Sequence, residues 1–209
     1  AMQAFPYHWH HYEEYGATKL RIFCLSGKNE SIYIEIDDFL PYIYVELPID
    51  KTWSPASLSV VQTKLKEMSF NSIVKMEFVS KKKLYFAKKD KTETGEYVDK
   101  TYPFLKCFFK TTTNIRTFSY KLRQPIFFSG SKITLKIHEA DANPVLQFMC
   151  MMDIKPASWF AFKGKKRATE DERESVCDHE FLCSYRNFAP IDNKGKVPAR
   201  PYILRDRKS

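Results

Sequence analysis

The chain has 209 residues, a formal net charge of +9 and 44% hydrophobic residues. That apolar content excludes disorder as the main state, and no run approaches the roughly 20 consecutive apolar residues that a membrane-spanning helix needs. The length allows one large domain or two small ones, the charge favours polyanionic partners, and 17 Phe, 12 Tyr and 3 Trp supply rings for cores or for stacking bases.

The elements follow in chain order. Residues 5–16 are crowded with rings and histidines. Lys19–Leu25 alternates as a strand, Gly27-Lys28-Asn29 is a turn signal, and Ser31–Ile36 is a second strand, which predicts a hairpin. Pro41–Leu47 is a strand with Ile43, Val45 and Leu47 on one side and Tyr42, Tyr44 and Glu46 on the other. Ser54-Pro55 opens a helix, with a capping serine before a proline that the first turn tolerates. Ile73–Ser80 alternates as a strand, Leu84–Ala87 is a short extra strand, and Lys88–Lys100 is a loop or hairpin tip. Phe104–Thr111 is a strand, Asn114–Leu122 a short helix, and Lys132–His138 a further strand. Asn143-Pro144 starts a helix whose buried face is Val145, Phe148, Met149 and Met152, and Pro156 ends it. Trp159–Phe162 and His179–Tyr185 read as strands, Lys163–Ser175 as a charged loop, and Asn187–Ser209 as a linker.

Residues 41–138 thus run β-α-β-β-α-β, the order of a ferredoxin-like (split βαβ) antiparallel unit with two helices on one face. Its other face would carry Tyr42, Tyr44, Lys75, Lys106, Phe108, Lys110, Lys136 and His138. Rings mixed with lysines resemble the surface that RNA-recognition modules use, although the glycine-bearing signature of those modules is missing from Phe104–Lys110. Cover by the rest of the chain is the plain alternative. The overall class is α+β. Residues 1–40 give a hairpin to a second, small β-rich, barrel-like subdomain that 139–200 completes, and 201–209 form a linker.

Chemistry-bearing clusters are few. His8, His10 and His11 lack partners at ligand spacing. Cys177, His179 and Cys183 share a strand face but lack the fourth ligand of a closed zinc site, so core packing is their expected role, and no metal site is expected at either group. No nucleophile elbow, P-loop or carboxylate cluster stands out, so no active site is expected in the chain. The five cysteines, none in a CxxC spacing, suit free thiols in a reducing, intracellular compartment. Nothing after Ala1-Met2 reads as a basic-then-apolar leader. Basic clusters remain at Lys81-Lys82-Lys83, at Lys88-Lys89 with Lys91, at Lys163, Lys165, Lys166 and Arg167, and in the tail at Arg205, Arg207 and Lys208. Several lie beside rings and fit backbone contacts to nucleic acid.

Four segments, in this order, resemble the N-terminal region of B-family DNA polymerases of the delta-like type found in eukaryotes and large DNA viruses. They are Ile34-Glu35-Ile36-Asp37-Asp38-Phe39-Leu40-Pro41-Tyr42-Ile43-Tyr44-Val45, Tyr102–Lys110, Ile137–Met149 followed by Ile154 and Trp159, and Pro201-Tyr202-Ile203-Leu204. The resemblance covers about Lys19 to Leu204. It implies a non-catalytic domain that contacts the template DNA strand and scaffolds the exonuclease and palm domains of a replicative enzyme, with no membrane partner. In the family a strand like the last segment runs into an Asp-x-Glu, and here Asp206 is followed by Lys208. The exonuclease and palm carboxylates are therefore not expected here, and neither is a cofactor; magnesium belongs to the whole polymerase. Localisation would be nuclear or at a cytoplasmic viral replication site. A self-contained single-strand-binding protein is the alternative, and a small metal-binding or hydrolytic enzyme is a third class.

Overall fold

The computed structural model describes residues 1–82, 90–91, 97–98, 101–128, 130–138 and 143–192. The expected strand at Leu84–Ala87, the first residues of the resemblance's third segment after His138, and Pro201–Leu204 lie outside them. The chain opens with β1 (Met2–Glu14), β2 (Ala17–Leu25), β3 (Ser31–Ile36), β4 (Tyr42–Glu46), α1 (Pro55–Met68) and β5 (Ile73–Lys82). Then come the two-residue strands β6 (Asp90–Lys91) and β7 (Tyr97–Val98), which pair with each other, and β8 (Thr101–Phe109) and α2 (Thr112–Lys121). β9 (Ile126–Phe128), β10 (Ser131–Ile133), β11 (Lys136–His138) and α3 (Pro144–Met152) follow. The last strands are β12 (Phe160–Phe162), β13 (Lys165–Lys166), β14 (His179–Cys183) and β15 (Phe188–Pro190). The fold is mixed α+β. It divides into two compact units, one of Ala1–Phe39 with the chain from Asn143, the other Leu40–Ala142.

The first unit is a curled seven-stranded sheet, a half-barrel, in the order β13-β14-β3-β2-β1-β12-β15. Its inner side is built by period-2 alternation: Leu20, Ile22 and Cys24 pair with Ile36, Ile34 and Ile32, and all six are fully buried. The connecting turn needs one left-handed residue, and Asn29 (φ 57°) takes that conformation at low cost. Rings fill the remaining space, with Phe148 of α3 against Phe39, Trp9 and Phe188. Truncating such a ring to alanine costs about 3–5 kcal/mol. Asn143 Oδ1 accepts from the Val145 N–H at 2.8 Å and starts α3. The helix ends at Asp153 (φ 55°), three residues before Pro156, which was expected to end it.

In this unit one stretch left unassigned from the sequence is a strand, and one expectation fails. Residues 2–14 form a 13-residue strand. Its period is hidden because both faces bear rings or histidines, and because a bulge between Pro6 and His8 resets the parity. The segment after Asn187 is not all linker, since Phe188–Pro190 pairs with β12 and buries Phe188.

The second unit carries an antiparallel four-stranded sheet, order β11-β4-β8-β5. Its core joins Ile43 and Val45 of β4, Leu105, Cys107 and Phe109 of β8, Val61 and Leu65 of α1, and Ile115 and Phe118 of α2. Both helices therefore pack on one side of the sheet. Ser54 caps α1 in a reciprocal capping box with Ser57, and Thr111 caps α2 by accepting from Asn114 N–H. The single strand expected over Lys132–His138 is two. Ser131–Ile133 pairs with β9, which went unpredicted, and Lys136–His138 pairs with β4. The chain changes partner at Thr134-Leu135, where alternation continues unbroken in the sequence.

Candidate nucleic-acid interface

The side of the second unit's sheet away from the helices carries the rings and lysines. Tyr42, Tyr44 and Glu46 come from β4; Phe104, Lys106 and Phe108 from β8; Lys136 and His138 from β11. A bulge between Ile73 and Lys75 keeps Ile73 in the core while turning Lys75 toward Phe108, and after it Glu77 and Lys81 follow on the same side.

The rings form one continuous mosaic. Tyr42 meets Tyr44 and Phe108 at 5.7 Å between centroids, Tyr44 meets Phe104 at 6.1 Å, and Phe104 meets the His138 ring at 5.5 Å. Lysines lie over them. Lys106 Nζ sits 4.0 Å from the Tyr42 centroid, Lys75 Nζ 4.4 Å from Phe108, and Lys81 Nζ 4.4 Å from Tyr44 while donating to its hydroxyl at 2.6 Å. Each such cation–ring contact is worth about 0.5–1 kcal/mol when exposed. The consequence is chemical. Tyr42, Tyr44 and Phe108 are buried, 2–6% exposed, so they do not offer open faces for bases. The surface presents ammonium groups over a ring floor. Among the described residues, four lysines (75, 81, 106, 136) share this face with two carboxylates, Glu46 and Glu77; Glu46 pairs with His138 at 2.8 Å and Glu77 with Lys75 at 3.3 Å. Lys110 is exposed just past the end of β8, and Lys136 is exposed on β11. Phe104 and Lys81 were not assigned to this face. The parity of Phe104 with Lys106 was the available signal, and Lys81 needed β5 to run past Ser80.

The basic loop of the first unit divides in two. Lys163, Lys165 and Lys166 are exposed, the last two paired in β13 with Leu182 and Phe181. Gly164 between them approaches so closely that a Cβ would lie 2.1 Å from Cys183 Sγ and 2.7 Å from the Leu182 carbonyl. Arg167 is different. Its guanidinium bonds to Glu35 and, at 3.1 Å, to Glu180, both fully buried. Tyr12 donates to the other oxygen of Glu35. Glu180 also accepts from the backbone N–H groups of Glu174 and Ser175 and from the Ser175 hydroxyl at 2.7 Å. Burial pushes the Glu35 carboxyl upward, but the hydrogen bonds from Tyr12 and Arg167 and the Arg167 charge outweigh it, so Glu35 titrates below the usual carboxylate range. Arg167 is thus committed to an internal network rather than displayed.

The histidine and cysteine groups do not converge. His8 and His10 share one side of β1 with Tyr12, while His11 points to the other, beside Leu20. His179 contacts Glu30 at 2.6 Å, and Cys177, which precedes β14, packs against Phe23 and Tyr33. Burial pushes the Cys107 and Cys183 thiols up to about 12. Among the described residues no group of three or more His, Cys, Asp or Glu is placed to hold a metal, and no helix is long and apolar enough to cross a membrane.

No family model matches the sequence. Over 96% of its length the chain is 30% identical to DNA polymerase 120R of Invertebrate iridescent virus 3, and over 94% it is 26% identical to DNA polymerase 037L of Invertebrate iridescent virus 6. The family B DNA polymerase of the hyperthermophilic archaeon Pyrobaculum calidifontis shares the fold over 94% of the chain, with a TM-score of 0.65 at 15% identity. The chain is thus similar in sequence to viral DNA polymerases and shares its fold with part of a family B DNA polymerase. It spans 17–18% of the length of the two viral polymerases and 21% of the archaeal chain.

Proposed function

We propose that this chain is a non-catalytic, template-contacting and scaffolding domain of a replicative DNA polymerase. The observation that carries the reading is the lysine-covered ring face of β4, β5, β8 and β11. Ammonium groups held over buried rings neutralise phosphates without reading bases, which is how a sequence-independent strand is guided. We read this unit as ferredoxin-like, supported by the sheet order β11-β4-β8-β5 with α1 and α2 as its two connections. Lys75, Lys81, Lys106, Lys110 and Lys136 are the contacts, with Lys163, Lys165 and Lys166 as a second basic site and Arg167 supporting it from within. Tyr42, Tyr44 and Phe108 act as the floor. The partners are template DNA and the exonuclease and palm domains of the polymerase, in a reducing compartment, nuclear or at a cytoplasmic viral replication site. Magnesium would serve phosphoryl transfer in those other domains. The donors described here do not converge on a metal position, so no step is derived through it.

Anisotropy of labelled single-stranded and primer–template DNA, titrated over a range of salt, tests this. Binding should weaken steeply with salt, and Lys75→Glu with Lys81→Glu should reduce the log–log slope on single strands by about 0.7 per lysine. Absence of binding at low salt sinks the template-contacting reading.

A further inference from the structure

The opposite side of the second unit shows a different arrangement of rings and cations. From Thr101 to His138 the chain contains no Asp or Glu, yet seven Lys or Arg (106, 110, 116, 121, 123, 132, 136). On α2, Arg116, Tyr120 and, in the turn just after it, Arg123 follow at helical spacing on one exposed face. Tyr120 is 70% exposed, with the Arg123 guanidinium 5.6 Å from its ring centre. Lys121 reaches instead to Phe70, just past α1, with Nζ 3.2 Å from the ring centre. Phe70 is 79% exposed and holds φ 51°, followed by Asn71 at 59°. A left-handed backbone suits Gly or Asn, and a bulky ring there is an outlier. The fold gains little from this ring, which stands in solvent on a strained residue. In the β9–β10 hairpin that follows α2, the 64%-exposed Phe127 has Lys132 at 5.5 Å.

We infer that the C-terminal ends of α1 and α2 form a second contact surface for single-stranded nucleic acid, in which Phe70 and Tyr120 stack bases and Arg116, Lys121 and Arg123 hold the phosphates. Lysine at the last turn of each helix also complements the helix dipole, which accounts for Lys66 and Lys121 but not for the exposed rings. Here, unlike on the ring floor beneath the lysines, ring faces are open. Lys121 occupies one face of Phe70 and leaves the ring largely accessible. The inference rests on the nucleic-acid reading above and adds where bases, rather than phosphates alone, would be met. Glu67, the single acid of α1, lies one turn before Phe70.

The test uses the full chain and a labelled short oligothymidine. Phe70→Gly relieves the left-handed backbone, so thermal stability should hold or rise while affinity falls about fivefold, and adding Tyr120→Ala should take the loss to at least about tenfold. A merely structural Phe70 would not separate the two readouts. Lys75→Glu with Lys81→Glu is measured in parallel. If the Phe70/Tyr120 variant binds like the unaltered chain while the sheet variant weakens, this inference falls and the template-contacting reading stands. If the unaltered chain does not bind at low salt, both fall. If unlabelled poly-glutamate displaces the oligonucleotide more effectively than unlabelled oligothymidine does, the surface belongs to an acidic peptide and the inference is overturned.

Discussion

The two units use the same residue types, cations beside tyrosines, to opposite ends. In the half-barrel, Arg167 sits among Glu35, Glu180 and Tyr12, and its side chain is 14% exposed with both carboxylates buried. In the four-stranded unit, Lys75, Lys81 and Lys106 lie over rings, and the Lys75 side chain is about half exposed. The first arrangement pairs full charges in a poorly solvated place, where each depends on the other for compensation. The second leaves the Lys75 side chain in solvent and uses the ring only as a weak support. A cation in the first setting is therefore expensive to remove and useless to a ligand. Lys75, in the second, is cheap to remove and exposed.

The largest effect expected from that contrast is at Arg167. Arg167→Ala leaves two buried carboxylates without their cation and should destabilise the half-barrel by about 3–5 kcal/mol, read by urea denaturation, whereas Lys75→Ala should change stability by less than about 0.5 kcal/mol. Equal effects at the two positions would erase the distinction. The exchange also explains why Arg167 looked like a displayed cation in the sequence. It stands next to Lys165-Lys166, and its partner Glu35 is 132 residues away.

Acid should find the same network. Glu35 titrates lower folded than unfolded, so between those values the unfolded state binds more protons and stability rises with pH. Its contribution is fully present above the unfolded carboxylate value of about 4.3 and is lost as pH falls through the lower folded one. Urea midpoints measured down that range should drop, and Glu35→Gln should lower the midpoint at neutral pH while flattening the drop. A variant with unchanged pH dependence would remove Glu35 from the account of acid sensitivity.

What was legible in the sequence follows the same physics. The β2–β3 hairpin and α3 could be read because local signals agree with the core they join: strict alternation across an Asn-bearing turn, and Asn143-Pro144 before an apolar stripe. β1 could not, because Trp9, facing Phe148 and Phe160, alternates with histidines that are themselves ring-like, and a bulge breaks the period. The division between β10 and β11 is a choice of partner strand, which no local pattern encodes. The parity of Tyr42, Tyr44, Lys106 and Phe108 was legible. That lysines would cover the rings was not, because it depends on β5 lying across β8 with a bulge at its start.

The finest test of the contrast is a matched pair of hydroxyl deletions. Tyr12→Phe removes the donor to a buried carboxylate, and Tyr44→Phe removes the acceptor of a part-exposed ammonium. The ring and the cation beside it stay in both cases, Arg21 3.8 Å from the Tyr12 centre and Lys81 4.4 Å from Tyr44. Hydrogen bonds to buried charge cost more to lose, so Tyr12→Phe should destabilise by about 1.5–3 kcal/mol and Tyr44→Phe by about 0.5–1 kcal/mol. Tyr12→Phe should also flatten the acid dependence, since Glu35 loses a bond that holds its ionised form and its folded value moves back toward the unfolded one, while Tyr44→Phe should leave the acid dependence unchanged. If the two variants matched in both respects, burial would not be what separates the two units. The difference would then have to lie in the carboxylate partners alone.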